Sequence, residues 1–154
     1  MKRTVFLILL TFFTLSLPIP TRATDFKVSG IGIGSNYFAV IKILGNPLSS
    51  KKGGIVPCSE GSTKLTLLYE GLEIRLSRDA DEKSFTVYAM FVSSSKWSVL
   101  GINIGSPMKN VKAKLGEPYH QTRASGSLGL HYNNNKGISG AVSFYFRNNK
   151  LNRV

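Results

Sequence analysis

A frame of residues that occurs twice constrains this chain more than any other feature. Gly30-Ile31-Gly32-Ile33-Gly34-Ser35, followed by Val40 and Leu44-Gly45-Asn46-Pro47, returns 71 residues later as Gly101-Ile102-Asn103-Ile104-Gly105-Ser106, Val111 and Leu115-Gly116-Glu117-Pro118. Nine of the 18 aligned positions are identical, with no gap. Self-similarity at a fixed offset marks a supersecondary unit used more than once. The fold must therefore be one that a short segment can build twice.

Each copy of the frame has a physical reading. Ile33 and Ile104 lie in a short extended lead-in, Gly34 and Gly105 permit a turn, and Ser35 and Ser106 are placed to cap a helix by accepting a bond from a free backbone N–H. Pro107 suits the first helical position, where its missing N–H has no partner to lose. Tyr37, Val40, Ile41 and Leu44 recur at helical spacing in the first copy, and Met108, Val111 and Leu115 do so in the second. Gly45 and Gly116 then take the left-handed position that ends a helix, and Pro47 and Pro118 prevent its continuation.

Helices of about ten residues are marginal alone and need something to pack on. The rest of each copy supplies it by changing to alternation: Lys64 to Tyr69, Leu72 to Leu76 and Phe85 to Val92, then Leu128 to Tyr132, Ala141 to Arg147 and a short Leu151 to Val154. The connections Glu70-Gly71, Asn133 to Gly137 and Asn148 to Lys150 are short and turn-rich, which argues antiparallel pairing. Alternation buries Leu72, Ile74 and Leu76, then Val142, Phe144 and Phe146, then Phe85, Val87 and Phe91. It turns Glu73, Arg75, Tyr88, His131, Ser143, Tyr145 and Arg147 outward. The expected fold class is α+β, with two tandem units, each a short helical segment on a three-stranded antiparallel meander. The units span 24–98 and 99–154, with Ser93 to Ser98 as the linker.

The frame G-I-x-I-G-S, a valine, then L-G-x-P, followed by a meander, resembles the repeat of the β-lactamase inhibitory proteins and the related single unit of the SmpA/OmlA outer-membrane assembly lipoproteins. The residues that carry the resemblance are Gly34, Ser35, Val40, Leu44, Gly45 and Pro47, with Gly105, Ser106, Val111, Leu115, Gly116 and Pro118. The resemblance implies a joined sheet from two tandem units that presents an aromatic-bearing surface to a protein target. It carries no functional residue across, because every shared position belongs to a turn, a cap or the core. The lipoproteins are anchored through an N-terminal cysteine and the inhibitory proteins carry a disulfide in each unit. This chain has one cysteine, Cys58, so neither a lipid anchor nor a β-lactamase target is implied.

The first residues read as a secretory signal. Lys2 and Arg3 precede a 13-residue apolar run from Val5 to Leu17, and a stretch ending Thr21-Arg22-Ala23 comes next. The run is shorter than the roughly 20 residues that span a bilayer, and Pro18 and Pro20 break it. Cleavage after Ala23 is expected, giving a periplasmic or secreted mature protein that does not span the membrane. A lone cysteine excludes an internal disulfide, so core packing has to hold the fold in an oxidising compartment. Cys58 reads as a buried apolar residue or as a free thiol.

Removal of Lys2, Arg3 and Arg22 leaves 17 basic against 8 acidic residues, a net charge of +9. Such a field favours encounter with polyanions. Export sets nucleic acid aside and leaves an acidic protein or an anionic envelope component as the expected partner.

Chemical motifs are few. Gly30-x-Gly32-x-Gly34 lacks the third glycine of a dinucleotide loop, since Ser35 stands there, and Gly61-Ser62-Thr63-Lys64 has the wrong order for a phosphate loop. His120, His131 and Cys58 fall short of a zinc ligand set. Asp79, Asp81 and Glu82 lack the glycine and spacing of a calcium loop. No serine sits in a nucleophile elbow. No cofactor, metal or catalytic group is expected, and the chain reads as a binding protein rather than an enzyme. The alternative reading is a structural envelope protein with no dedicated ligand. The candidate partner-binding residues are Arg75, Tyr88, His131, Tyr145 and Arg147 on the outward sheet face, and Trp97 in the linker, which serves either as a packing wedge or as a binding residue.

Overall fold

The computed structural model describes residues 26–55, 62–133 and 140–154, and the predicted signal segment, Cys58 and the turn at 134–137 lie outside them. The element order is β1 (Lys27–Val28), β2 (Ile31–Gly32), α1 (Tyr37–Leu44), β3 (Ser49–Ile55), β4 (Thr63–Tyr69), β5 (Leu72–Arg78) and β6 (Thr86–Val92), then β7 (Ser98–Val99), β8 (Ile102–Asn103), α2 (Met108–Leu115), β9 (His120–Ala124), β10 (Ser127–Asn133), β11 (Ala141–Arg147) and β12 (Lys150–Arg153). The strands form three antiparallel four-stranded sheets, β3-β4-β5-β6, β12-β11-β10-β9 and a small one, β2-β1-β7-β8. With two short helices, the fold is α+β.

Alternation on β5 and β11 puts Leu72, Ile74, Leu76, Val142, Phe144 and Phe146 in the core, as the sequence pattern predicts. The helices contribute Val40 and Val111, both fully buried. The small sheet adds Val28, Ile31, Val99 and Ile102, and all of these belong to one continuous apolar cluster. Two backbone junctions hold it together. Val28 pairs with Val99 where β1 meets β7, and Val92 and Val154 exchange reciprocal N–H···O=C bonds of 2.8 and 3.0 Å.

The helix ends correct the expectation from the frame. Asn36, not Ser35, caps α1, its side chain accepting from the Ala39 N–H at 2.8 Å. Ser35 instead braces the turn before the helix, its Oγ accepting from the Gly32 N–H at 3.1 Å. Pro107 takes the cap position of α2, one residue before the place expected, and makes no side-chain bond there. Gly45 and Gly116 do end their helices, at φ 76° and 78°. Their ψ values of −166° and −159° put them in a region open essentially to glycine alone. The carbonyl of each accepts a bond from a buried tyrosine hydroxyl, Tyr69 to Gly45 at 3.0 Å and Tyr132 to Gly116 at 3.1 Å. That hydroxyl ties each helix C-terminus to the last core residue of β4 or β10.

Two further departures have local causes. Each meander has four strands, because β3 (SSKKGGI) and β9 (HQTRA) are polar edge strands without the alternation that marks half-buried ones. The second departure is a β-bulge. Register shifts between Arg75 and Leu76 against β6, and again between Tyr145 and Phe146 against β12, leaving one extra residue on each partner strand. Beyond the extra residue Tyr88, the facing of β6 inverts. Met90 turns inward opposite Ile74, and Phe91, expected in the core, pairs with Glu73 on the outer face.

Gly71, in the two-residue turn between β4 and β5, has φ 71°, and a Cβ there would overlap the Cβ of Ser94 with the Ser94 nitrogen only 3.1 Å away. Gly71→Ala is expected to cost about 2 kcal/mol or more in urea unfolding, whereas Gly126→Ala, at a similar φ but facing open space, costs about 1 kcal/mol. Tyr69→Phe and Tyr132→Phe should each cost about 1 kcal/mol, the worth of one hydrogen bond. Burial raises the pKa of both tyrosines, with Tyr37 and Glu117 respectively as lesser causes. A phenol whose folded pKa lies above its unfolded value stabilises fully below a pH of about 10 and ceases to do so as pH rises through the raised value. Stability should therefore fall in alkali, and the double Phe variant should show a shallower fall in pH-dependent unfolding.

Candidate functional site

The faces of β4–β6 and β10–β12 that turn away from the core carry most of the residues singled out from the sequence. His131 occupies the middle of β10, opposite Ser143 on one side and His120 on the other. Its Nδ1 lies 2.8 Å from Ser143 Oγ and its Nε2 lies 2.9 Å from Thr122 Oγ1. Hydroxyls donate or accept, so the neutral ring is satisfied in either tautomer. The His120 ring stacks at 5.5 Å and Tyr145 meets the ring edge-on at 6.0 Å. Gly129 makes room for this arrangement, since a Cβ there would sit 2.6 Å from Thr122 Oγ1, 3.1 Å from His131 Nε2 and 3.3 Å from the Tyr145 ring.

Beside this platform lies a cleft of about 780 Å³ between β6 and β11–β12, lined among others by Phe26, Ile33, Tyr88, Phe91, Tyr145 and Arg153. Among the described residues, Lys27 and Arg153 are the charged residues that line it. The Arg153 guanidinium lies over the Tyr145 ring at 4.6 Å. Arg153 also lines a shallower depression with Leu68, Glu73, Arg75 and Phe91. Arg75 lies over Phe91 at 4.5 Å and pairs with Glu73 at 2.6 Å, while Lys64 lies over Tyr88 at 4.5 Å. Cation–π contacts at exposed sites are worth about 0.5–1 kcal/mol each. Their effect here is to lay long cationic side chains flat across aromatic rings and so keep both on the surface.

Tyr88 and Tyr145 thus line the cleft, His131 supports Tyr145 from behind, and Arg75 adjoins the cleft through Phe91. Arg147 is exposed on the same face two residues beyond Tyr145. Trp97 stands apart. Its Nε1 donates to the Glu70 carbonyl at 2.7 Å and its ring meets Tyr69 edge-on at 6.4 Å, which places it as a wedge against the turn at Glu70-Gly71. Sequence reasoning passes over Phe91, Lys64 and Arg153. The bulge hides the first, since strict alternation assigns it to the core. The last two lack any motif, and only their position over an aromatic ring marks them.

The Ser143–His131 pair has the contact of a nucleophile with its base, but the far nitrogen meets a hydroxyl where a triad places a carboxylate to stabilise the imidazolium. Among the described residues no group of three or more His, Cys, Asp or Glu is placed to hold a metal ion, and no helix is long and apolar enough to cross a membrane. No protein-family model, curated protein or solved structure gives a significant match to the chain.

Gly129→Ala is expected to push Thr122 off His131 and tilt Tyr145. Loss of about 1–3 kcal/mol in stability, with altered His131 and Tyr145 ring resonances in NMR and unchanged core resonances around Val40, would register the change.

Proposed function

We propose that the chain is an exported, non-enzymatic binding protein that engages an acidic protein or an anionic envelope component through the outer face of its sheets. The cleft between β6 and β11–β12 carries the proposal. It combines Tyr88, Phe91 and Tyr145 with Lys27 and Arg153. Aromatic and Arg side chains are the types that anchor interfaces, and a cationic side chain laid over an aromatic ring offers an anion both charge and contact area.

Three sequence features support the same reading: the signal-like first 23 residues, the +9 charge of the remaining chain, and the frame that occurs twice. The reading takes the chain as two tandem units of β, β, helix and four-stranded meander, as the resemblance to the inhibitory proteins implies. Val40 and Val111, Tyr69 and Tyr132, Gly45 and Gly116, and the two bulges are equivalent pairs under it.

Affinity capture from an envelope extract tests the proposal. A partner retained at low salt and released above about 0.5 M, where the Debye length has shrunk well below 10 Å, is expected. Arg75→Glu combined with Arg153→Glu should weaken retention about tenfold or more, and Arg147→Glu, further from the cleft, should weaken it less. Absence of any retained partner, or retention indifferent both to salt and to these reversals, would sink the proposal and favour a structural envelope role.

A further inference from the structure

The two copies of the frame differ most where their helices meet solvent. α1 reads YFAVIKIL and α2 reads MKNVKAKL. Val40 faces the core with Tyr37, Ile41 and Leu44 beside it, which leaves Phe38, Ala39, Lys42 and Ile43 on the opposite half of α1. Phe38 is 71% exposed and Ile43 52%, and Leu48, just beyond the helix, is 77% exposed. Seventy-one residues on, the positions of Phe38 and Ile43 hold Lys109 and Lys114, both exposed. The same backbone therefore accepts lysine at these places. Folding does not require the apolar residues, and water does not favour a cluster of them.

The surroundings of this patch select its occupant. Lys42 is the only charged residue of α1, α2 carries Lys109, Lys112 and Lys114, and neither helix contains Asp or Glu. Val40 and Val111 enter one core cluster, and the directly opposed Val92 and Val154 both pack into it, so the two helices cover the same side of the strands. That side carries an apolar helix and a basic one, and it lies across the sheets from the outer face that bears Phe91 and Tyr145. A second copy seated on α1 would bring the lysines of both helices together without a carboxylate on either helix between them. A bilayer rich in anionic headgroups has complementary chemistry for both parts, charge at the surface and an apolar boundary a few ångströms beneath.

We propose that α1 docks the protein on an anionic lipid surface, with Phe38, Ile43 and Leu48 entering the boundary between headgroups and acyl chains and Lys42, Lys109 and Lys114 lying against the headgroups. Both parts contribute, since binding of an amphipathic helix at a membrane interface grows with the apolar area buried and with attraction to anionic lipids. The proposal is independent of the cleft and of its partner.

Co-sedimentation with vesicles at about 0.1 M salt tests it. The mature protein, from Thr24 onward, should bind vesicles of phosphatidylcholine mixed with phosphatidylglycerol and leave phosphatidylcholine vesicles unbound. The double substitution Phe38→Lys and Ile43→Lys borrows residues that the other copy already carries, so thermal unfolding should be little changed. It makes the protein more positive, and purely electrostatic adsorption would strengthen. Docking by insertion predicts the opposite, a loss of about tenfold or more. As a second readout, Phe38→Trp should give added emission that is quenched by lipids brominated in the acyl chain. The proposal is overturned if the wild-type chain does not sediment with anionic vesicles, if the double-lysine protein binds equally or better, if Phe38→Trp is not quenched, or if light scattering shows that the patch serves a dimer that the double substitution abolishes.

Discussion

The pairing of Val28 with Val99 is the contact on which the rest of the molecule depends. β1 and β7 are two residues long, too short to hold a sheet by themselves, and each is the first strand of a tight hairpin that delivers an isoleucine, Ile31 or Ile102, to the interior. Their antiparallel pairing brings these two hairpins together, and the reciprocal bonds of Val92 with Val154 close the other side. Between these junctions the apolar faces of both meanders become a single core. A small domain buries too little surface to be secure, and merging two apolar faces removes from water what either alone would leave exposed.

Within that frame, the bulges decide what the molecule shows to solvent. A strand alternates strictly, so one extra residue reverses every side chain beyond it. At Tyr88 the reversal exchanges Met90 and Phe91, moving the aromatic ring to the surface and the flexible thioether to the interior. Phe91 then lies beneath Arg75 and beside Arg153, which joins the outer faces of two sheets into one cationic and aromatic surface. His131 belongs to this surface as a brace. With hydroxyls at both nitrogens and rings on two sides, it holds Tyr145 at the cleft edge.

The two sides of the strands divide the chemistry. The outer face carries Arg75, Arg153 and Lys64 over aromatic rings. The helix side carries exposed aliphatic and aromatic side chains on α1 and lysines on α2. Both arise from a scaffold whose shared positions are occupied with turns, caps and core, leaving only the unshared positions free to vary.

The doubled frame, read as sequence, determined a good deal: two short helices, their glycine stops, the antiparallel strands and the inward faces of β5 and β11. Those features rest on local rules, helical spacing, glycine at positive φ and strict alternation, which a few neighbouring residues satisfy or fail. The polar edge strands β3 and β9 are not legible there because pairing at an edge needs no apolar pattern. Ser35 does not act as the cap that the frame suggests because Asn36, one residue later, competes for the same N–H groups and wins. Arg75, Tyr88, His131, Tyr145 and Arg147 are assigned to the outer face by alternation alone. That Tyr88 and Tyr145 share a cleft with Phe91 and Arg153, while Trp97 stands away from it against Glu70, was decided only in the tertiary structure. Residues from β1, β6, β11 and β12 come together there through backbone bonds between distant strands, and a register set by bulges and remote pairing leaves no trace in the order of residues along any one of them.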